Sequence, residues 1–316
     1  MTNEYPIIDV TGWVVDRVEQ MGSKTKVWLF DPLDRRWLFK QNRPGTGEDW
    51  SEKLGAQFAE ALGLPHATVD LASLGGVPGV VSLDFISNRR TAQLVHGNEL
   101  IVELVDAKYP AKGKKYGVSQ HTVARVLDVL DRPLIQLPSG VTLPPPIGRP
   151  PELFVGYLLL DALIGNTDRH HENWGVIDLR PTPVAPLRAE LAPTFDHASC
   201  LGRELTDDRR QESLTTRDKN RAVARYVEKM RSAFYQDAAD AAPLHPLQAF
   251  RLAADRYQAA AGAWLNQLNR VTGDDVRSVI ARVPFARMSD PSRRFCTAVL
   301  ELTMKSLTAS PGVVSP

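Results

Sequence analysis

Cysteine is scarce in this chain of 316 residues, and its scarcity excludes a class of folds. Cys200 and Cys296 are the two cysteines, too few and too far apart for a disulfide framework or a cysteine-based metal site. Such sparse use fits a protein of the reducing cytosol. The length suggests one large domain or two lobes, with ample chain to bury a core.

Charge imbalance, long apolar runs and a secretory leader are missing as well. The 38 Lys and Arg residues balance 37 Asp and Glu residues, for a formal net charge of +1, which argues against nucleic-acid binding through bulk charge. No apolar run approaches the roughly 18 residues that span a bilayer. The N-terminal MTNEYPIIDVTGW has no basic region followed by an apolar core. We therefore expect a cytoplasmic protein with no membrane span and no direct nucleic-acid partner.

Short β-rich runs separated by turn residues dominate the first third of the chain. Strands are predicted at 11–20, 24–30, 36–41, 67–74 and 79–86. One helix interrupts them at 51–63, with Ser51 as a candidate N-cap, Gly63 as a stop and apolar residues every fourth position. The pattern predicts a small, mostly antiparallel sheet carrying one helix.

Helical patterns take over from residue 97 onward. Helices are predicted at about 97–106, 118–131, 150–164, 219–237, 246–270, 274–282 and 290–308. The Pro-rich segment LPSGVTLPPPIGRPP cannot be helical and ends where a helix can begin. These patterns predict an α+β chain with an N-terminal lobe at 1–96 and a larger helical lobe at 97–316. Ligand sites tend to lie in the cleft between two such lobes.

Polar chemistry is concentrated in GNTDRHHENWGVID, residues 165–178, directly after the apolar helix predicted at 150–164. Asp168 and Asn173 form a D-x-x-x-x-N pattern there, and Asp196 follows in APTFDHAS. Two short strands are predicted between these motifs, on either side of a Pro-rich turn. Phosphoryl transfer needs a carboxylate to orient the attacking hydroxyl and metal ions to neutralise the phosphates. Asp168 is therefore a candidate base, and Asn173 and Asp196 are candidate Mg²⁺ ligands.

The N-terminal part offers two candidate phosphate-binding residues. Lys40 lies in a predicted strand with apolar neighbours, where a lysine is costly to bury unless it is paired or faces a cleft. Glu52 opens the predicted helix at 51–63 and could pair with it. A lysine on a strand paired with a glutamate on the next helix holds the ATP phosphates in kinases.

A glycine-containing turn precedes them in EQMGSKTKVWL. Gly22, Ser23 and the following amides could cover the phosphates, with Lys24 or Lys26 adding charge. The segment lacks both G-x-x-x-x-G-K-[ST] and G-x-G-x-x-G.

GNTDRHHENWGV followed by LAPTFDHAS resembles the catalytic core of HipA-type kinases, which carry GN-x-D-x-H-x-x-N and a later P-x-[YF]-D. The resemblance extends over residues 15–308 and is strongest at 163–197. MGSKTK stands where the family has its glycine-containing loop, with Lys26 matching the family lysine and Lys24 replacing the usual Gln. The chain is too short for the extra N-terminal subdomain of the long HipA toxin, so it resembles the compact members.

This resemblance implies a two-lobed, protein-kinase-like fold and Mg²⁺-dependent transfer of the ATP γ-phosphate to Ser or Thr of a protein. By motif position it makes Asp168 the catalytic base, with Asn173 and Asp196 as metal ligands. Lys40 becomes the phosphate-binding lysine and Glu52 its partner. The resemblance also implies autophosphorylation at Ser23 and a toxin role, with a small helix-turn-helix antitoxin as partner. It does not identify the protein substrate.

Two other functions stay open. N-T-D-R-H-x-x-N-W is also similar to the D-R-H-x-x-N of phosphatidylinositol kinases, so a phosphoinositide or other small-molecule kinase is an alternative. The departures in the glycine-containing loop leave room for a pseudokinase that binds nucleotide or a partner without turnover.

The residues between Asp168 and Asn173 are harder to interpret. His170 is expected to support the loop structurally, with a supporting catalytic role as the alternative, and His171 is expected to be exposed. Arg169 could contact a phosphate, a neighbouring carboxylate or a surface partner. The segment 203–221 corresponds to a kinase activation segment, and we expect a solvated, mobile loop that Arg-paired phosphorylation could order.

Overall fold

A six-stranded sheet forms the N-terminal part of the computed structural model, which describes residues 4–19, 26–86, 88–110, 114–180, 182 and 188–309. Its strands are β1 (Ile7–Asp9), β2 (Val14–Glu19), β3 (Lys26–Phe30), β4 (Arg36–Gln41), β5 (Val69–Leu74) and β6 (Val77–Leu83). The order across the sheet is β1-β5-β6-β4-β3-β2. Only the β1–β5 pairing is parallel among these described strands, so the prediction of a mostly antiparallel sheet is confirmed.

The two faces of this sheet pack against different cores. On one face lies α1 (Glu48–Ala61), whose Leu54 and Phe58 join a core with Val69, Leu71 and Val80 of the sheet. The opposite face carries a smaller cluster made of Val10, Val27, Leu29, Trp37, Phe39, Ala72 and Val81. Alternation along each strand therefore assigns each side chain to one of two environments.

The C-terminal part combines a second sheet with nine helices in the described ranges. Strands β7 (Gln93–His96), β8 (Ile135–Gln136), β9 (Gly175–Asp178) and β10 (Ala189–Leu191) are arranged in the order β7-β9-β10-β8. The helices are α2 (Gly97–Leu104), α3 (Val123–Leu130), α4 (Pro150–Ile164), α5 (Asp207–Thr215), α6 (Val223–Glu228), α7 (Pro246–Arg256), α8 (Gln258–Leu268), α9 (Gly273–Ala281) and α10 (Asp290–Thr308). Strand β7 belongs to the predicted N-terminal lobe but pairs with β9, and the division at residue 96 stays a prediction.

Helix α4 is the centre of the C-terminal part. Every residue of it except Glu152 is buried, because α7, α8 and α10 pack around it. Pro150 suits the first turn, where its missing N–H leaves no intrahelical bond unmade. Gly165 ends the helix in the left-handed region, at φ 65°. The chain therefore leaves a rigid, buried platform at the start of the 165–178 motif.

Several predicted boundaries differ from the structure. Helix α1 begins at Glu48 with Gly47 as N-cap, so the assignment of Ser51 as N-cap and of Glu52 to the first turn is wrong. The Ser51 hydroxyl instead donates to the Ala198 carbonyl at 2.6 Å. The helix predicted at 246–270 is two helices that meet at Tyr257.

The segments before and after α6 also correct the predictions. The helix predicted at 219–237 shrinks to α6, because the backbone amide of Ser232 donates to the Leu244 carbonyl and that of Leu244 to the Phe234 carbonyl. The segment 203–221 is not simply a loop, since α5 forms within it, capped by Thr206. Throughout the described ranges, no helix combines the length and the apolar character needed to cross a bilayer.

Candidate active site

A cleft of about 820 Å³ lies between the six-stranded sheet and the loops that follow α4 and β10. Its walls include all five residues on which the sequence hypothesis depends: Lys40, Glu52, Asp168, Asn173 and Asp196. This volume is in the range of small-molecule and cofactor sites. The cleft is therefore the candidate site.

The register of the β3–β4 pair directs two lysines into the cleft. Trp37 and Phe39 of β4 point into the core on the far face of the sheet. Because side chains alternate between the two faces of a strand, Lys40 points to the opposite face, towards the cleft. Lys26 lies directly opposite Lys40 in the pairing and lines the same cleft. Gly22 and Ser23 lie outside the described residues, so their predicted roles stay predictions.

Lys40 is held between two carboxylates. Its Nζ lies 3.0 Å from Oδ1 of Asp196 and 3.6 Å from Oε2 of Glu52. Burial acts to lower the pKa of Lys40, but the charges of Asp196 and Glu52 outweigh it and raise the pKa above its ordinary value. The ammonium group therefore stays charged inside the cleft.

Helix α1 also binds the backbone that follows Asp196. Oε1 of Glu52 accepts a hydrogen bond from the His197 amide at 3.1 Å. Gly55 lies against His197, and a Cβ on it would stand 2.5 Å from the His197 Cβ. Asp196 itself has φ 58°, an uncommon region that aspartate tolerates better than most residues. Close packing of α1 thus sets where the Asp196 carboxylate points.

The loop after α4 presents Asp168 and Asn173 together. Asn173 donates from Nδ2 to the Asp168 carbonyl at 2.6 Å, which leaves its Oδ1 as the atom for a ligand. Oδ1 of Asp168 is buried and has no hydrogen-bond partner among the described residues. Burial raises the pKa of Asp168, and the charge of Asp196 adds to that effect. A raised pKa suits a proton acceptor.

The donor set fits a hard cation between the two loops. Carboxylate and amide oxygens are the ligands that Mg²⁺ prefers, and Asp196 and Asn173 supply them at the wall of the same cleft. Oδ1 of Asp168, a buried acceptor with no hydrogen-bond partner among the described residues, belongs to the same loop as Asn173. The positive charge of Lys40 next to Asp196 suits a polyphosphate ligand.

Arg169 has a structural position rather than a phosphate-binding one. It is buried, and its guanidinium forms a fork with Asp161 of α4, at 2.5 Å from Nε and 2.7 Å from Nη2. Its Nη1 donates to the Asn173 carbonyl at 3.0 Å, and Nη2 also donates to the Thr194 hydroxyl at 2.9 Å. Of the predicted contacts, a neighbouring carboxylate is therefore the one that forms, and a phosphate or surface contact does not.

Asp161 is the residue of this network that the motif spacing does not predict. A lone carboxylate within an apolar helix predicts a buried cationic or hydrogen-bonding partner, because an unpaired buried charge is strongly unfavourable. Asn166 completes the anchor by donating to Asp161 at 2.8 Å and accepting from the Asp168 amide at 3.0 Å. Together these groups attach the loop to the end of α4.

The two histidines of the motif are both buried. His170 accepts a hydrogen bond from the Glu172 amide at 3.1 Å, and burial lowers its pKa to about 4. Its Nε2 lies 3.8 Å from Asp168. The expectation that His171 is exposed is wrong, because it packs beneath the loop with its Nδ1 2.8 Å from the Tyr109 hydroxyl. Tyr109 lies far from the motif in sequence, so local pattern could not reveal it.

Comparisons with known proteins identify the fold. No family model matches the chain, and no curated protein matches its sequence. The solved structure of the Helicobacter pylori proinflammatory kinase CtkA is similar, with a TM-score of 0.69, 21% identity and coverage of 95% of both chains. HipA of the Shewanella oneidensis MR-1 toxin–antitoxin system is also similar, with a TM-score of 0.56 and 13% identity over 92% of this chain and 64% of that one. The chain therefore has the two-lobed, α+β fold of HipA-like kinases, as the resemblance implied.

Proposed function

We propose that this protein is an ATP- and Mg²⁺-dependent kinase of the HipA-like class that transfers the γ-phosphate to a Ser or Thr hydroxyl of a protein. The observation that carries the proposal is the ion pair between Lys40 and Asp196, 156 residues apart in the chain and 3.0 Å apart in the cleft. Asp168 and Asn173 line the same cleft. Residues suited to binding phosphate, accepting a proton and holding a metal therefore line one cleft, which supports the proposal.

Each residue has a role that follows from its surroundings. Lys40, kept charged by Glu52 and Asp196, would bind phosphate oxygens at the roof of the cleft. Asn173 and Asp196 would hold Mg²⁺, which when bound neutralises phosphate charge. Asp168, which lines the cleft, would take the proton of the attacking hydroxyl on its carboxylate. A carboxyl whose pKa burial has raised is a better base than an exposed one.

Labelling the full-length chain tests this proposal directly. With γ-labelled ATP and Mg²⁺, the protein should label itself or a protein of a cell extract. Asp168→Ala should abolish transfer, and chelation of the metal should do the same. Asp274→Ala is the matched control, because that carboxylate is exposed on α9 and forms a surface ion pair with Arg277. It should leave transfer unchanged.

Two results would replace the proposal with another function. A nucleotide-dependent rise in melting temperature without any phosphate transfer would indicate a pseudokinase. Label in inositol lipid vesicles, with none in protein, would indicate a lipid kinase. The presence of Lys40, Asp168, Asn173 and Asp196 in one cleft favours turnover over a pseudokinase.

We extend the proposal to a toxin role with a small helix-turn-helix antitoxin. The support is the fold shared with a HipA that was solved together with HipB and operator DNA. Expression should arrest growth, and Asp168→Ala should not. Equal growth with both forms would argue against the toxin role and leave the kinase proposal in place.

A further inference from the structure

We propose that Ser199 is a positioning residue for phosphate transfer: its hydroxyl holds one oxygen of the Asp168 carboxylate, and Arg203 connects this contact to helix α1. The inference rests on the kinase function proposed above. Ser199 ends the LAPTFDHAS segment and Arg203 begins the segment 203–221. The sequence motifs assign no role to either residue, and both line the cleft.

The hydrogen-bond chain has a defined direction. Nη2 of Arg203 lies 3.2 Å from the Ser199 hydroxyl oxygen, which lies 3.4 Å from Oδ2 of Asp168. A guanidinium can only donate, whereas a hydroxyl both accepts and donates. Ser199 therefore accepts a hydrogen bond from Arg203 and donates one to Asp168. The second distance is long, as is common for catalytic hydrogen bonds before the substrate binds.

The contact with Ser199 restricts how the Asp168 carboxylate is oriented. With Oδ2 engaged by Ser199, the rotation of the Asp168 carboxylate is restricted. Oδ1 is buried, whereas the Asp168 side chain as a whole is 22% exposed, so the carboxylate presents an edge other than Oδ1 to the cleft. Orienting a base in this way lowers the barrier without any contact between Ser199 and the reacting atoms.

The backbone of Ser199 is fixed on the side of the catalytic loop. Its carbonyl accepts from the Thr167 amide at 3.1 Å and from the Thr167 hydroxyl at 3.2 Å. The preceding carbonyl, of Ala198, accepts from the Ser51 hydroxyl at 2.6 Å. The backbone at Ser199 is therefore held by hydrogen bonds from the loop after α4 and from α1.

Arg203 extends the connection to the start of α1. Its Nη1 lies 2.7 Å from Oε1 of Glu48, and its carbonyl accepts from the Gly47 amide at 2.8 Å. The same helix carries Glu52, which pairs with Lys40. One helix therefore orients both the phosphate-binding lysine and, through Arg203 and Ser199, the proposed base.

Kinetics of Ser199 variants test the inference. In Ser199→Ala, kcat should fall roughly 10- to 100-fold while KM for ATP stays unchanged, because orientation of the base is lost and nucleotide binding is not. Ser199→Thr, which keeps the hydroxyl, should restore much of kcat. The melting temperature and its rise with ATP should match the wild type. Ser119→Ala, which removes a hydroxyl bonded to the Ala238 carbonyl outside the cleft, should change none of these quantities.

A double variant tests whether Arg203 acts through Ser199. Arg203→Gln should lower kcat, and the Ser199→Ala/Arg203→Gln protein should fall within about twofold of the lower single variant. Multiplicative losses would show independent roles and overturn the connection.

Other outcomes separate this inference from the function on which it rests. Wild-type turnover by Ser199→Ala would refute the positioning role and leave the kinase proposal standing. Phosphate found on Ser199 by mass spectrometry would make it an acceptor and also refute that role. Absence of transfer by the wild-type protein with any divalent metal would refute the kinase proposal itself.

Discussion

The ammonium group of Lys40 lies 3.0 Å from Oδ1 of Asp196, which joins strand β4 to the segment after β10. Glu52 of α1 lies 3.6 Å from the same Nζ. Asp196 lies 156 residues from Lys40 in the chain, so this three-residue contact forms only when the two parts of the chain pack together. This contact is therefore present only when the cleft is assembled.

Removing the Lys40 charge should greatly reduce the rate of phosphate transfer and change the stability of the fold much less. We expect Lys40→Met to lower kcat/KM roughly 10²- to 10³-fold, because a charged donor aimed at the phosphates is lost. The matched control is Lys53→Met, which removes a buried lysine of α1 that contacts Asp70 and the Val69 carbonyl outside the cleft. Transfer rates with labelled ATP measure the effect. Equal activity loss in both variants would contradict a specific role for Lys40.

Breaking the Arg169–Asp161 fork should destabilise the protein. Arg169→Gln leaves a buried carboxylate without its cation, which we expect to lower the free energy of unfolding by about 3–5 kcal/mol. Arg209→Gln removes an exposed partner of Glu212, and we expect it to lower that free energy by less than about 1 kcal/mol. Denaturant titrations of the two variants compare them. A small loss for Arg169→Gln would show that Asp161 finds another partner.

A methyl group at Gly55 should disturb the packing of α1. Alanine favours helices, but its Cβ would lie 2.5 Å from the Cβ of His197. We expect Gly55→Ala to lower the free energy of unfolding by about 1–3 kcal/mol. Transfer activity should fall with it, because α1 carries Glu52. A Cβ at Gly12 would have no atom within 4 Å, so Gly12→Ala should leave the melting temperature and the transfer rate unchanged.

Stability should decrease as the pH falls below the ordinary pKa of histidine. Burial lowers the pKa of His121 from 6.5 to about 3. Its Nε2 accepts from the Trp174 indole at 3.1 Å, so the folded protein needs the neutral ring. Between these two pKa values the unfolded chain binds a proton that the folded chain does not. The free energy of unfolding should therefore fall by up to about 1.4 kcal/mol per pH unit on acidification, with no such loss above the window.

Denaturation of the wild type and of His121→Gln, at about pH 7.5 and about pH 5, measures this effect. The variant should lose less stability between the two conditions than the wild type does. An equal loss would show that other groups account for the acid sensitivity.

Strong local patterns led to correct predictions of several elements. Helix α4 occupies the predicted range 150–164, and β4 occupies 36–41. In α4 a continuous apolar run lies between Pro150 and the stop signal Gly165, and in β4 buried residues alternate along the strand. The boundaries of α1 and the short extent of α6 were not predictable in this way. Distant segments bond at or near their ends: the Gly47 amide before α1 donates to the Arg203 carbonyl, and the Ser232 amide after α6 donates to the Leu244 carbonyl.

The sequence by itself determined the composition of the site: the spacing of Asp168 and Asn173, the later Asp196, and a lysine on a strand before a helix. Those features lie in short segments whose local structure follows from the adjacent residues. Only the tertiary structure decided that Arg169 is an internal anchor, that His171 is buried, and that Ser199 joins Arg203 to Asp168. A buried polar group needs a partner, but packing of the whole chain selects which one it finds.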